Sequence, residues 1–319
     1  MANVFQSDKL SLLLCKLQST FGTLETSLAG SDLMETDGVP TLNVNPNATE
    51  LDLVAGGFDQ DASVMGVMEN ELNFSVPMRA SGSDTPGQVG VLLEAAGMLK
   101  AESVDGVFTY NFSSTQSEWK HLTAWMYSGA LGASVSLLRK GGNGIIIPKW
   151  TFETGKPVKM DCKASLTFGG VAALATQPLV TKMRTIPAAL LGCSLMTING
   201  SAGYRMISCE IDPKQEAKLT VNPGDTYGNG LSVIVGRKLD WKAKVYKDLP
   251  ATVDPETALL ARTEGALTMS FGVVPQKVTF SATYSNINDI KHSNQNGVET
   301  WDISGQLVRN DFTITLHTK

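Results

Sequence analysis

Apolar and polar residues alternate at a spacing of two over much of this chain, and no other feature restricts its fold more. Leu72, Phe74, Val76 and Met78 alternate with Glu71, Asn73, Ser75 and Pro77. Val158, Met160, Cys162, Ala164, Leu166 and Phe168 alternate with Lys159, Asp161, Lys163, Ser165 and Thr167. Val278, Phe280, Ala282 and Tyr284 do the same with Thr279, Ser281 and Thr283, and Phe312, Ile314 and Leu316 repeat the pattern near the C-terminus. Successive side chains of an extended strand point to opposite faces, so the pattern predicts antiparallel strands with one face on a core and one in water. Gly141-Gly142-Asn143-Gly144 and Asn294-Gln295-Asn296-Gly297 lie between such runs. Both supply residues that accept positive φ, and both are expected hairpin turns.

Three segments depart from this period. Leu10, Leu13, Leu14, Leu17 and Phe21 follow helical spacing, which predicts a first helix capped by Ser7 and ended by Gly22. Thr85-Pro86 opens a second helix with Val89, Leu92, Leu93 and Ala96 on one face, closed by Gly97. Asp254-Pro255 opens a third, with Leu259 and Leu260 inside and Gly265 at its end. Residues 23–48 are polar and rich in turn signals, and are expected to form an extended arm.

Overlaying the two later helices exposes a repeat. Leu72 and Leu239, Phe74 and Trp241, Leu92 and Leu259, and Leu93 and Leu260 are each separated by 167 residues. After each helix alternating strands follow: Ala133, Val135 and Leu137 against Leu267, Met269 and Phe271, then Lys149–Phe152 against Lys277–Phe280, then the strand from Val158 against that from Val298. The expected fold is therefore mainly β, with two tandem β-sandwich or barrel units, each flanked by a helix. The division reads as an N-terminal helix and arm over 1–48, a first unit over 49–172 with an insertion at 100–132, a connector over 173–190 carrying Gln177-Pro178 and Ile186-Pro187, and a second unit over 191–319. A unit doubled within the chain and repeated again by ring symmetry gives a closed object without exposed strand edges.

The charge balance narrows function. With 26 basic and 31 acidic residues, net −5, the chain lacks the basic footprint of a protein that grips nucleic acid. No apolar run approaches the ~20 residues of a spanning helix, and Asp8 with no basic start precedes the first apolar segment, so neither membrane insertion nor a secretory leader is expected. Synthesis in a cytoplasm follows. Cys15, Cys162, Cys193 and Cys209 show no CxxC spacing and read as buried, reduced thiols.

Chemistry-bearing motifs are lacking. His121, His292 and His317 stand far apart with no Cys or carboxylate at ligand spacing, and HExxH, GxSxG and DxDxDG do not occur. No catalytic residue, cofactor or metal is expected. Gly141–Gly144 lacks the Lys-Ser/Thr and helix of a phosphate cradle, and Asp59-Gln60-Asp61 reads as a solvated loop rather than a Ca²⁺ site. Trp119, Trp125 and Tyr127 read as core or subunit packing. In the alternative reading they form the ligand platform of a two-domain β-sandwich module that binds carbohydrate or a receptor.

Several segments, taken in order, carry a resemblance. Leu12-Leu13-Leu14-Cys15-Lys16-Leu17-Gln18-Ser19-Thr20-Phe21-Gly22-Thr23, Asn45-Pro46-Asn47-Ala48-Thr49-Glu50-Leu51-Asp52-Leu53-Val54, Val91-Leu92-Leu93-Glu94-Ala95-Ala96-Gly97-Met98, Gly155-Lys156-Pro157-Val158-Lys159-Met160 and Gly297-Val298-Glu299-Thr300-Trp301-Asp302-Ile303 together resemble the major tail tube proteins of long-tailed bacteriophages. The resemblance spans most of the chain. It implies β-sandwich rings related to those of type VI secretion tubes, stacked into a conduit for genome ejection, in a virion component assembled in the bacterial cytoplasm. The implied partners are the chain itself, as trimeric pseudo-hexameric or hexameric rings, the tape-measure protein, and tail terminator and distal tail or baseplate proteins. Genomic DNA passes without specific binding. Glu71, Asn73, Ser75 and Asp161, on strand faces opposite the core, are the candidate lumen residues, expected to repel phosphate.

Overall fold

The computed structural model describes residues 11–20, 22–49, 64–79, 85–129, 135–180, 196–247, 254–309 and 311–318. The fold is mainly β, as the alternation predicts. The first half holds β1 (Leu12–Leu17), β2 (Leu33–Met34), β3 (Thr41–Thr49), β4 (Val64–Pro77), α1 (Gly87–Ala95), β5 (Met98–Val104), β6 (Val107–Phe112), β7 (Leu122–Ser128), β8 (Val135–Gly144), β9 (Ile147–Glu153), β10 (Lys159–Phe168) and β11 (Ala173–Thr176). The second holds β12 (Met196–Ile198), β13 (Ser201–Tyr204), β14 (Met206–Asp212), β15 (Glu216–Val221), β16 (Asn229–Gly236), β17 (Asp240–Tyr246), α2 (Pro255–Ala261), β18 (Gly265–Phe271), β19 (Val278–Gln295), β20 (Val298–Leu307) and β21 (Thr313–His317).

Both halves run through the same series of antiparallel partners. In the first, β3 pairs with β4, β4 with β10, β10 with β9 and the end of β8, β8 with β7, and β7 with β1. In the second, β14 pairs with β17, β17 with β20, β20 with the outer half of β19, its inner half with β18, and β18 with β12. Even the short closing strands agree: β11 lies on Val135–Leu138 of β8 as β21 lies on Val278–Ser281 of β19. Among the described residues the hairpin β5–β6 has no counterpart in the second half, and the hairpin β15–β16 has none in the first.

The ladders fix the register between halves and change part of the sequence alignment. Val76 lies opposite Met160 and Ala243 opposite Ile303, while Val76 and Ala243 stand 167 residues apart; Met160 therefore answers to Ile303. By the same rungs Trp150 answers to Ile290 and Phe152 to His292. The strand at Val158 thus corresponds to that at Trp301 rather than Val298, and Lys149–Phe152 to Asp289–His292 rather than Lys277–Phe280. Within 100–132, β7 matches β18, which leaves β5–β6 and the turn after it as the added piece. Bulges in the β8–β10 and β19–β20 ladders shift these registers in ways the alternation does not carry.

Over Leu12–Leu17 the expected N-terminal helix is a strand, while Ser7, Leu10 and Phe21 lie outside the described residues. Leu13 and Cys15 of β1 point into the main core, whereas Leu14 points into a second cluster with Leu28, Leu33, Tyr127 and Leu138. A run of apolar residues serves a strand buried on both faces as well as a helix, and its position between two cores decides the matter. The expected arm is likewise built into the sheet, since β2 pairs with β1 and β3 with β4. Gly141–Gly144 is not a turn but the end of β8, where a Cβ on Gly142 would collide with Thr167 and one on Gly144 with Leu166 of β10. These glycines allow close backbone approach. The turn at Asn296-Gly297 is present, both residues having positive φ. Ala173–Thr176, within the expected connector, is β11.

α2 begins as expected, with Asp254 accepting hydrogen bonds from the Glu256 and Thr257 N–H groups and Pro255 at its start. It ends at Arg262 in the left-handed region, and Gly265 opens β18 instead. The halves share one aromatic core: Phe152 stacks on Phe271 with ring centroids 4.8 Å apart, and Trp150 lies 5.4 Å from Phe312 and 6.0 Å from Phe280. Offset and edge-on pairs of this kind add about 0.5–1.5 kcal/mol each beyond the area they bury.

Candidate functional site

Eight strands form one continuous sheet in the order β3, β4, β10, β9, β14, β17, β20, β19. Four come from each half, and the antiparallel pair β9–β14 joins them, with Trp150 opposite Ile211 and Glu153 opposite Ser208. One face of this sheet covers the aromatic core. The other carries the alternate, polar residues.

Glu71, Asn73 and Ser75 of β4 and Asp161 of β10 all lie on that polar face, half-buried beside their neighbours and opposite the buried Leu72, Phe74, Val76 and Cys162. Asp161 stands across from Ser75, and Lys163 across from Asn73. The face runs on through Lys149 and Thr151 of β9, Glu210 of β14, Lys242 and Lys244 of β17, and Asp302 of β20. Thr151, Glu210, Lys242, Lys244, Asp289 and Asp302 line a shallow concavity there.

The face carries lysines as well as the polar and acidic residues named as lumen candidates. Its lysines are interleaved with its carboxylates: Lys163 Nζ lies 3.1 Å from Glu71 Oε1, Lys149 Nζ 3.1 Å from Glu210 Oε2, Lys244 Nζ 3.7 Å from Asp302 Oδ1, and Lys159 is paired with Asp37. A hydrogen bond from Asn73, then the Lys163 ammonium, hold the Glu71 carboxyl below its usual range. The Asp37 hydrogen bond raises Lys159. Pairs this exposed contribute little to stability, of order 0–1 kcal/mol. Their consequence is local neutrality, because cations already matched by carboxylates release few counterions on meeting phosphate.

Two edges of this sheet are open among the described residues. At one end β3 pairs only with β4. At the other, Ser285 of β19 is paired on both edges, with Gly265 of β18 and with Leu307 of β20; beyond it β18 stops, and one edge of β19 continues to Gln295 without a neighbour. The matching place in the first half is filled. Gly144 is likewise paired on both edges, with Leu122 and Leu166, and beyond it β14 takes up the edge of β9 that β7 leaves. β14 is the counterpart of β3. The junction closed inside the chain is therefore left open at its two outer ends by the same two kinds of strand, a relation between distant strands that alternation alone does not reveal.

The remaining candidates do not form a site. Trp119 and Tyr127 are buried, the Trp119 Nε1–H donating to the Ser113 carbonyl at 3.1 Å, and half-buried Trp125 is covered by Lys140, so these three residues form no exposed aromatic platform. Cys15, Cys162 and Cys209 are free and buried, their thiols pushed up mainly by burial, while Cys193 and Asp59-Gln60-Asp61 lie outside the described residues. Among the described residues no cluster of His, Cys, Asp and Glu is arranged to hold a metal, and no helix is long and apolar enough to cross a membrane. No family model and no curated protein matches this chain.

Proposed function

We propose that this chain is the structural subunit of a self-assembling tube of the kind found in the tails of long-tailed bacteriophages, stacking as rings that conduct the genome into the host. One observation carries the reading: the eight-stranded sheet ends in the open edges of β3 and β19, and the equivalent edges within the chain are joined by β9–β14. Open edges recruit further strands. A head-to-tail contact that repeats the internal one closes into a ring when the rotation permits.

Three chains would place roughly 24 strands around such a ring. At about 4.8 Å between strands that gives a circle about 37 Å across before strand tilt widens it, which leaves a bore where an eight-stranded barrel would be filled by its own side chains. The polar face lines the bore in this arrangement, with Glu71, Asn73, Ser75 and Asp161 among its residues. Its self-paired charges suit a passage that DNA crosses without being held. The aromatic segment that a carbohydrate- or receptor-binding module needs is buried, which favours the tube.

Electron microscopy of the purified chain over a range of concentrations tests the reading. Rings or tubes are expected. Mixing Thr41→Cys and Asp289→Cys chains under oxidising conditions should also give disulfide-linked dimers, because the internal register places these positions together. Dispersed single chains at every concentration would sink the proposal.

A further inference from the structure

β3 and β19 both leave an edge open among the described residues, but only β3 carries features that hinder strand pairing there. Met68, opposite Pro46, turns its N–H away from β3 and donates it to the Tyr227 carbonyl at 3.4 Å. Pro46 and Met68 are therefore a rung without mutual hydrogen bonds, and the nitrogens of Leu42, Val44 and Pro46 face the open side of β3. Pro46 has no N–H to offer there. The ladder with β4 also shifts between Pro46 and Ala48, a bulge directly after the proline. β19 has neither device over its open length: from Asp289 to Gln295 it pairs residue by residue with Ser304 to Val298.

The edge of β3 has something to be guarded against. Val44 is 46% exposed, and an unpaired strand with an apolar side chain in water is a template for its own copy. The antiparallel register that uses the Leu42 and Val44 donors of both chains is centred on Asn43. Pro46 of each chain then faces Pro40 of the other, and that rung makes no hydrogen bond in either direction. A joint with β19 escapes most of this cost. In the register that sets Thr41 beside Asp289, Pro46 falls opposite Tyr284, on the far side of Ser285, where β18 already covers β19. Only Pro40 lies within that ladder.

We propose that Pro46 determines what the edge of β3 accepts: it bars the β3 strand of a second copy and leaves the edge open to the β19 strand of a second copy. The exclusion rests on the edge itself, and the admission of β19 rests on the tube reading. A chain with one guarded and one unguarded edge joins head to tail, whereas two β3 edges meeting would end growth in a closed pair.

Asn43→Cys reports β3–β3 pairing, because Asn43 would face its own copy across a rung where Cα atoms stand about 4.5 Å apart, within disulfide reach. The full chain carrying Asn43→Cys is oxidised with Pro46 retained and with Pro46→Val added, and dimers linked at residue 43 are quantified by mass spectrometry. Pro46 is exposed, so the melting temperature should not change, and Pro46→Thr serves as a second variant if it does. Pro46→Val restores a donor to each chain and is expected to raise the yield of these dimers about tenfold, while mixed Thr41→Cys and Asp289→Cys chains cross-link as before. Equal yields with and without the proline would overturn the proposal and leave the tube reading intact. A tenfold rise without any Thr41–Asp289 cross-link would keep the exclusion but overturn the admission of β19, and the tube reading with it.

Discussion

His121 Nε2 lies 2.8 Å from the carbonyl oxygen of Ser232, which ties the entry to β7 in the first half to β16 in the hairpin that the second half lays across it. The ring is buried, and burial lowers its pKa against the opposing effect of that hydrogen bond. The folded chain therefore keeps the imidazole neutral at pH values where the unfolded chain, near 6.5, takes up a proton. Stability should be full above about pH 6.5 and fall as the pH drops below it. Melting temperatures between pH 7.5 and 5 check this: His121→Gln should flatten the decline relative to wild type, and an unchanged slope would show that His121 is not its source.

The glycines at the end of β8 make a second, purely steric prediction. A side chain at Gly142 or Gly144 must displace Thr167 or Leu166 on β10. Gly142→Val should cost about 1–3 kcal/mol, whereas Gly155→Ala, in open space, should cost only the strain of its positive φ. Urea denaturation of the two variants separates the effects, and equal losses would argue against the close approach.

The shared aromatic core predicts how the chain unfolds. Trp150 and Phe152 from the first half pack against Phe271, Phe280 and Phe312 from the second. Trp150→Ala should destabilise by about 3–5 kcal/mol and affect both halves, giving one coincident transition by fluorescence and circular dichroism. Two separated transitions, with one half unaffected, would show that the halves fold independently.

Neutrality of the polar face is testable by unbalancing it. Wild type should show no retention of duplex DNA at low salt. Replacing Glu71, Asp161 and Glu210 with Gln, Asn and Gln leaves Lys163, Lys149 and Lys159 with fewer partners, and should produce DNA binding that weakens steeply as salt rises. Retention by wild type, or a variant that gains none, would contradict the role given to these pairs.

Much of the fold was legible where one face of a strand meets a core. Leu72 to Met78 and Val158 to Phe168 announce β4 and β10 by alternation, and Asp254-Pro255 announces α2. The same alternation put Glu71, Asn73, Ser75 and Asp161 on one polar face. Leu12–Leu17 misled because β1 has a core on each side, so its pattern loses the polar half of the alternation. Leu260, 85% exposed, misled because a leucine at a helix position shows what kind of contact suits it, not whether this chain supplies that contact. The lysines that neutralise the face, and the pairing of β9 with β14, join residues far apart in sequence, and no local spacing encodes them.

The C-terminal strand has a bearing on when the chain can act. β21 completes β19 on one side and β6, a strand of the first half, on the other, with Leu316 opposite both Val278 and Phe108. Neither half therefore has its full set of strand partners until β21 is in place. In the proposed tube, a subunit whose β21 has not docked presents the uncovered edge of β6 beside those of β3 and β19, so docking of β21 precedes orderly ring growth.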